Sequence, residues 1–360
     1  MNARERFVET LRFGSPDRIY YEPEGLFPET IKRWQKEGMP VDCHVEDFFG
    51  FDRFECVPVS LGLLPLFEEV VIEETKDYII AVGVDGVKAK NFKVKPAMAH
   101  YIEFPIKNRS DWESYKERLN PNSPARYPRF WDDLKRCWKD RDYPLGIDVG
   151  SFYGWPRNWI GVENFSLMFH DDPKLVRDIC DYIGNFVIKV IEKTVEEVEL
   201  DFARIWEDLG FKTGPLISPA HFKEFMLPNY KKLTKILKAH NIDIILVDSD
   251  GNNDVIIPLW LEGGVSGIYP LEVAADSNPI ALRKQYGRNL QLIGGIDKRL
   301  LAKGKRDIEK EVMSKVPWLL EQGGYIPLAD HVIPPDVPLE NYLYYRELLK
   351  EISIKIFGSA

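Results

Sequence analysis

Between residues 144 and 330 the chain repeats one theme six times: a short β-branched run, an abrupt stop at Gly or Asp, then a longer amphipathic stretch. The runs are PLGIDVG, FARIWED, IDIILVD, GVSGIYP, LQLIGG and GYIPLAD. Helical segments such as DPKLVRDICDYIGNFVIKVIEKTVEEV and SPAHFKEFMLPNYKKLTKILKAH lie between them. Strand and helix in alternation over this length imply parallel strands joined by crossover helices. RIYYEP near the N-terminus and a run within residues 52–60 bring the strand count close to eight, so the expected fold is a (β/α)8 TIM barrel. At 360 residues the chain suits one such domain.

The first hundred residues read as an extension packed on that barrel. NARERFVETLRFG has the apolar spacing of a short helix, with Gly14 expected to close it. Residues 66–96 alternate apolar and polar side chains around the turn signal VDGV, which predicts an antiparallel ribbon. A doubly wound open sheet is the competing architecture. It normally announces a Gly-rich phosphate turn, and neither GxGxxG nor GxxxxGK[ST] occurs, so no nucleotide cofactor is implied.

The balance of charge narrows the function. With 57 acidic against 48 basic residues the chain carries a formal charge of -9, which disfavours a nucleic-acid partner. No run of 18 apolar residues predicts a membrane span, and the charged N-terminus does not resemble a signal peptide, so a cytoplasmic location is expected. Cys43, Cys56, Cys137 and Cys180 form no CxxC pair and read as reduced thiols.

In a barrel of this kind chemistry gathers where strands give way to the loops that follow. Those points carry Glu22, Glu24, Asp148, Glu207, Asp208, Asp248, Asp250, Glu272, Asp297, Asp330 and His331. So many carboxylates on one rim would repel one another unless a cation or protons intervene, which favours a metal. The plain alternative for Asp148, Glu272 and Asp297 is a helix N-cap. Asp248 and Asp250, two positions apart after a buried run, fit a functional role better. His331, one of six histidines, follows a strand and precedes the stiff loop VIPPDVP.

Several stretches resemble the uroporphyrinogen decarboxylase superfamily, which includes cobamide-dependent methyltransferases: RERFVETLRFGSPDRI, SPAHFKEFMLPNYKKL, LIGGIDKRLLAKG and GGYIPLADHVIPPDVPLENY. The likeness implies a TIM barrel. The decarboxylases of that family carry an arginine-rich segment near the N-terminus for the substrate carboxylates. Here YYEPEGLFPET supplies glutamates instead, which disfavours a porphyrinogen substrate. The methyltransferase branch resembles this chain more at its site. Its H-x-C-G-N motif falls on Asp248-Ser249-Asp250-Gly251-Asn252, and its later cysteine falls on His331.

That resemblance implies a divalent ion, expected to be Zn2+, on Asp248, Asp250 and His331, with Glu207 as a further catalytic group. Oxygen and nitrogen ligands in place of thiolates make a harder Lewis acid, suited to polarising an oxygen. The implied reaction is that of the first methyltransferase of O-demethylase systems, moving a methyl group from a methoxylated, often aromatic, compound to cobalt. The corrinoid would be carried by a partner protein, and the resemblance also allows a homodimer. A departing phenolate has a conjugate acid of pKa about 10, so protonation or metal binding of the ether oxygen would assist its departure.

Phe152, Tyr153, Trp155 and Trp206 are expected to line the ring pocket, with Arg157, Glu272 and Asp330 as further substrate contacts; simple packing is the alternative for the aromatic residues. The rival reading is a metal-independent decarboxylase of a small or tetrapyrrole carboxylic acid, with Arg157, Lys212 or Lys298 holding the carboxylate.

Overall fold

The computed structural model describes residues 1–93 and 99–359. In chain order its strands begin with β1 (Glu55–Cys56). An antiparallel ribbon follows, made of β2 (Val70–Glu74), β3 (Tyr78–Val82), β4 (Lys88–Phe92) and β5 (His100–Glu103). Then come β6 (Leu145–Asp148), β7 (Phe202–Trp206), a two-residue hairpin of β8 (Gly210–Phe211) and β9 (Gly214–Pro215), and β10 (Ile244–Asp248). The last strands are β11 (Gly267–Leu271), β12 (Gln291–Gly294) and β13 (Tyr325–Ile326).

Seven of these form one curled parallel sheet in the order β1-β6-β7-β10-β11-β12-β13. All six runs of the repeating theme are strands of it. The sheet order follows the sequence order, as expected when each crossover helix returns the chain to the neighbouring position.

The eighth strand is where the structure departs from expectation. Residues 19–22 bury Ile19, Tyr20 and Tyr21 but join no ladder, because side chains take the amides that a neighbouring strand would use. Ile19 N donates to Ser353 Oγ at 3.1 Å and Tyr21 N to Asp52 Oδ2 at 2.8 Å. Tyr21 O still accepts Asp52 N at 2.8 Å just before β1, and Leu26 bridges Ile333 beyond β13. The segment therefore occupies the gap between the two sheet edges without forming a regular strand.

Side-chain alternation sends one face of each strand into the lumen. Phe202, Ile244, Leu246, Ile293 and Ile326 form the inner apolar cluster, joined by Tyr20 and, from the N-terminal helix Ala3–Leu11, by Phe7 and Leu11. Phe7 lies 5.1 Å from the Phe202 ring and 5.2 Å from the Tyr20 ring, so this helix plugs the end of the barrel opposite the site. Its other end differs from expectation. Phe13, at φ 58°, takes the left-handed position, and Gly14 only follows it. Phe13 is held there by packing over Gly323 and Gly324, whose missing side chains leave the room its ring fills.

Outside the sheet, Asp172 caps the long helix Pro173–Glu197 by accepting Leu175 N at 3.0 Å. Its buried stripe runs through Leu175, Ile179, Ile183, Val187 and Val190 at helical spacing, each buried side chain adding roughly 1.5–3 kcal/mol. The segment after Ser218 begins as a short helix and passes through a π-helical turn, Phe222–Met226, before Leu227–Ala239. Pro228 has no amide to give Glu224, which accounts for the irregular turn.

The ribbon contains the expected Asp85-Gly86 turn and extends further than predicted, to Glu103; the predicted stretch at 94–96 lies outside the described residues. No helix among the described residues is long and apolar enough to cross a membrane.

Candidate functional site

The lumenal register that buries Phe202 continues up β7 to Arg204 and Trp206, and the one that buries Ile244 and Leu246 ends at Asp248. Gly146 precedes Asp148 by two residues on the same face, and a Cβ there would meet the Phe202 ring at 2.3 Å. Arg204 is thus a guanidinium inside the barrel. Its Nε donates to Asp148 Oδ1 at 2.9 Å and its Nη2 to Asp148 Oδ2 at 3.3 Å. Sequence reasoning passed over Arg204. The available signal was a basic residue alternating with Phe202 and Trp206 inside FARIWED.

Burial opposes the charge of Arg204, but Tyr269, Cys56 and Asp148 outweigh it and hold its pKa high. Two carboxyls in the same field are shifted the other way from their usual ionised state. Burial raises Asp248 to about 7, reinforced by the neighbouring charge of Asp250 and opposed by Arg204. Glu22 also rises to about 7, again through burial, and among the described residues its Oε2 has no hydrogen-bond partner. Burial lifts the Cys56 thiol to about 12. The floor of the mouth therefore combines one firmly held positive charge with two carboxyls that are largely protonated below neutrality.

Above this floor the loops after β10 and β13 converge. His331 Nε2 and Asp250 Oδ2 are 3.1 Å apart, and the hydrogen bond to Asp250 raises the imidazole pKa against the opposing effect of burial. Both side chains remain about one third exposed. Gly251, at φ 82°, passes so close to Gly210 that a Cβ would meet its carbonyl carbon at 2.5 Å, so the turn after Asp250 requires glycine. Glu272 fixes that turn by accepting Gly251 N at 2.9 Å. Asp330, fully buried, accepts Val273 N at 3.0 Å and Lys298 N at 3.1 Å, tying two loops beneath His331.

The remaining sequence-derived positions serve as supports. Glu207 is fully buried and accepts from Tyr230 Oη at 2.6 Å, Tyr153 N at 2.7 Å, Ser151 Oγ at 2.9 Å, Phe152 N at 3.1 Å and Gly154 N at 3.3 Å. Burial pushes its pKa up, and these donors work against that. With both oxygens so engaged, it anchors the start of helix Gly154–Ile160 and stands apart from the Asp250–His331 contact.

Phe152 and Tyr153 are fully buried, Phe152 5.0 Å from the Tyr230 ring and Tyr153 5.5 Å from the Phe165 ring. Trp155 packs 5.8 Å from Trp159. Trp206 alone of the four aromatic residues keeps an exposed ring, 37% accessible. Arg157 is committed to the Asp208 carboxylate and backbone. Asp297 caps its helix by accepting Arg299 N at 2.9 Å.

The expected metal centre meets a geometric difficulty. Among the described residues no group of three or more His, Cys, Asp or Glu side chains is gathered to hold an ion. Asp250 and His331 contact each other directly, while Asp248 faces the lumen and couples to Asp250 only through its charge. This donor set does not fit a three-ligand zinc site.

Comparison with known proteins places the chain. Residues 98–352 match the family model described as "Uroporphyrinogen decarboxylase (URO-D)". A uroporphyrinogen decarboxylase from Legionella pneumophila (strain Paris) is 30% identical over 143 residues, covering 39% of each chain. The match thus spans about two fifths of that relative's length. A uroporphyrinogen decarboxylase from Rickettsia bellii (strain RML369-C) is 20% identical over 247 residues, 66% of this chain and 69% of the relative. Among solved structures, a methyltransferase from Methanosarcina mazei superposes with a TM-score of 0.63 over 98% of this chain and 99% of its own, at 14% identity. That similarity concerns the fold.

Proposed function

Because the chain belongs to the uroporphyrinogen decarboxylase family, and its barrel mouth pairs His331 with Asp250 above the lumenal Arg204, we propose that it is a methyltransferase. Its donor is a methoxylated aromatic compound, and its acceptor is the reduced cobalt of a corrinoid on a partner protein. The observation that carries the reading is the Asp250–His331 contact, which favours the charged form of the imidazole at the open end of the barrel. The fold shared with the Methanosarcina mazei methyltransferase is consistent with it.

The step balances without a metal in this chain. The bond between methyl carbon and ether oxygen breaks, its electron pair stays on oxygen, and His331 delivers the proton that makes the product a neutral phenol. Asp250 stabilises the imidazolium before transfer and orients its ring. The Co(I) co-substrate supplies the electron pair for the new carbon–cobalt bond and is formally oxidised to Co(III). Trp206 offers an exposed face for the aromatic ring, and Asp248, whose pKa is raised to about 7, provides a second group within the lumen that can carry a proton.

A second reading rests on Arg204. A guanidinium below two protonated carboxyls also suits decarboxylation of a small acid, with the carboxylate held by Arg204 and the carbanion protonated by Asp248. Incubation with methoxylated benzenes and a reduced corrinoid protein separates the two. A change in the cobalt spectrum with phenol release supports methyl transfer, whereas carbon dioxide release supports decarboxylation and discards it.

A further inference from the structure

We propose that Arg204 is a specificity-determining residue that receives a carboxylate of the substrate on the floor of the lumen, so that the molecule stands with its reacting end toward His331. This rests on the methyl-transfer reading, in which the methoxy end lies toward His331 and the carboxylate on Arg204 only anchors the molecule.

Three observations support the assignment. Arg204 is an inward-facing cation above the inner apolar cluster, on the strand register of Phe202 and Trp206. Its protein acceptor is Asp148, bonded through Nε and Nη2, and among the described residues Nη1 has no acceptor. The pair is also reachable: the Arg204 side chain is 24% exposed and that of Asp148 61%. A guanidinium offers five donors in a planar fork, so a second carboxylate can dock on the edge that Asp148 leaves free.

The acidic neighbours do not forbid an anion there. The pKa of Glu22 is raised to about 7 by burial, so it can hold a proton while the ligand carboxylate is bound. Binding of an anion should therefore draw protons onto the enzyme, whereas a cationic ligand would release them. Among the other basic side chains, Lys212 lies exposed in the turn between β8 and β9. Arg157 is committed to Asp208, and Lys298 lies 4.0 Å from buried Asp330.

The test is a binding measurement on the full chain without corrinoid, comparing 4-methoxybenzoate and benzoate with their uncharged amides by titration calorimetry in buffers of different ionisation enthalpy. The expected result is that each carboxylate binds roughly tenfold to a hundredfold tighter than its amide, with net proton uptake. Arg204→Gln should abolish that preference. Asp148→Asn, which removes the competing negative charge and should fold readily at an exposed position, should strengthen carboxylate binding about tenfold. Equal binding of acids and amides, no binding of any probe, proton release on binding, or a preference that survives Arg204→Gln overturns the assignment. Because nothing is turned over, a negative result here leaves the methyl-transfer assay to be judged on its own.

Discussion

Asp250 Oδ2 and His331 Nε2 meet at 3.1 Å although 81 positions separate them in the chain. The contact joins the loop after β10 to the loop after β13, and it raises the imidazole pKa by favouring the charged ring. Replacing Asp250 by Asn removes the carboxylate while keeping the shape, so the His331 pKa should fall toward its ordinary value near 6.5. Proton NMR titration of the ring measures this directly. If His331 is the acid, activity of the native enzyme is lost as pH rises through the raised pKa, and the same limb moves to lower pH in Asp250→Asn.

Asp248 makes stability fall with rising pH as well, in a lower pH window than His331. Its folded pKa, about 7, lies above the unfolded carboxyl value, so the folded state binds more protons between about pH 4 and 7 and stability falls as pH rises across that range. Asp248→Asn removes the penalty. It should stabilise the protein at pH 8 by on the order of 1–3 kcal/mol, once water at the mouth is allowed for, and have little effect at pH 4. Denaturant unfolding at the two pH values reads the difference. A group at the site that weakens the fold when ionised is expected of a position selected for chemistry.

Glu207 gives a contrasting case, since its carboxylate is spent on five donors rather than aimed at the mouth. Truncation to Ala leaves those donors buried and unanswered, at a cost of roughly 3–5 kcal/mol. The variant should melt markedly lower, with the loss seen at every pH. A Glu207→Ala protein of native stability would contradict the anchoring role.

Chelation should be inconsequential for the fold. With Asp250 and His331 as the directly paired donors and no third gathered beside them, zinc binding is expected to be weak. Elemental analysis of purified protein should return well under one metal ion per chain, and a chelator should leave the melting temperature unchanged. One tightly held zinc, lost in Asp248→Ala, would contradict this and restore the three-ligand centre.

Much of the architecture was legible because β7, β10, β11 and β12 are compact apolar runs bounded by Gly or Asp, and each crossover helix shows its own periodicity. The first barrel segment was not. RIYYEP has a strand's composition, yet Ser353 and Asp52 divert its amides, and no local pattern announces partners 334 and 31 positions away.

The site divided along the same line. Asp248, Asp250 and His331 announce themselves at strand ends, and the contact between two of them is a long-range fact that their spacing cannot encode. Phe152 and Tyr153 look like pocket residues in sequence but are drawn into the core by Tyr230 and Phe165. Arg204, hidden mid-strand, becomes visible only once alternation is counted from Phe202.

The most direct test uses a methoxylated benzoate labelled with carbon-13 in its methoxy group, with a reduced corrinoid protein in a single turnover followed by carbon-13 NMR. The label is expected to leave the ether for the methyl–cobalt position, with one phenol formed per methyl moved, and His331→Gln should slow the transfer at least about tenfold. Label retained on the ether while the carboxyl carbon departs as carbon dioxide would contradict it.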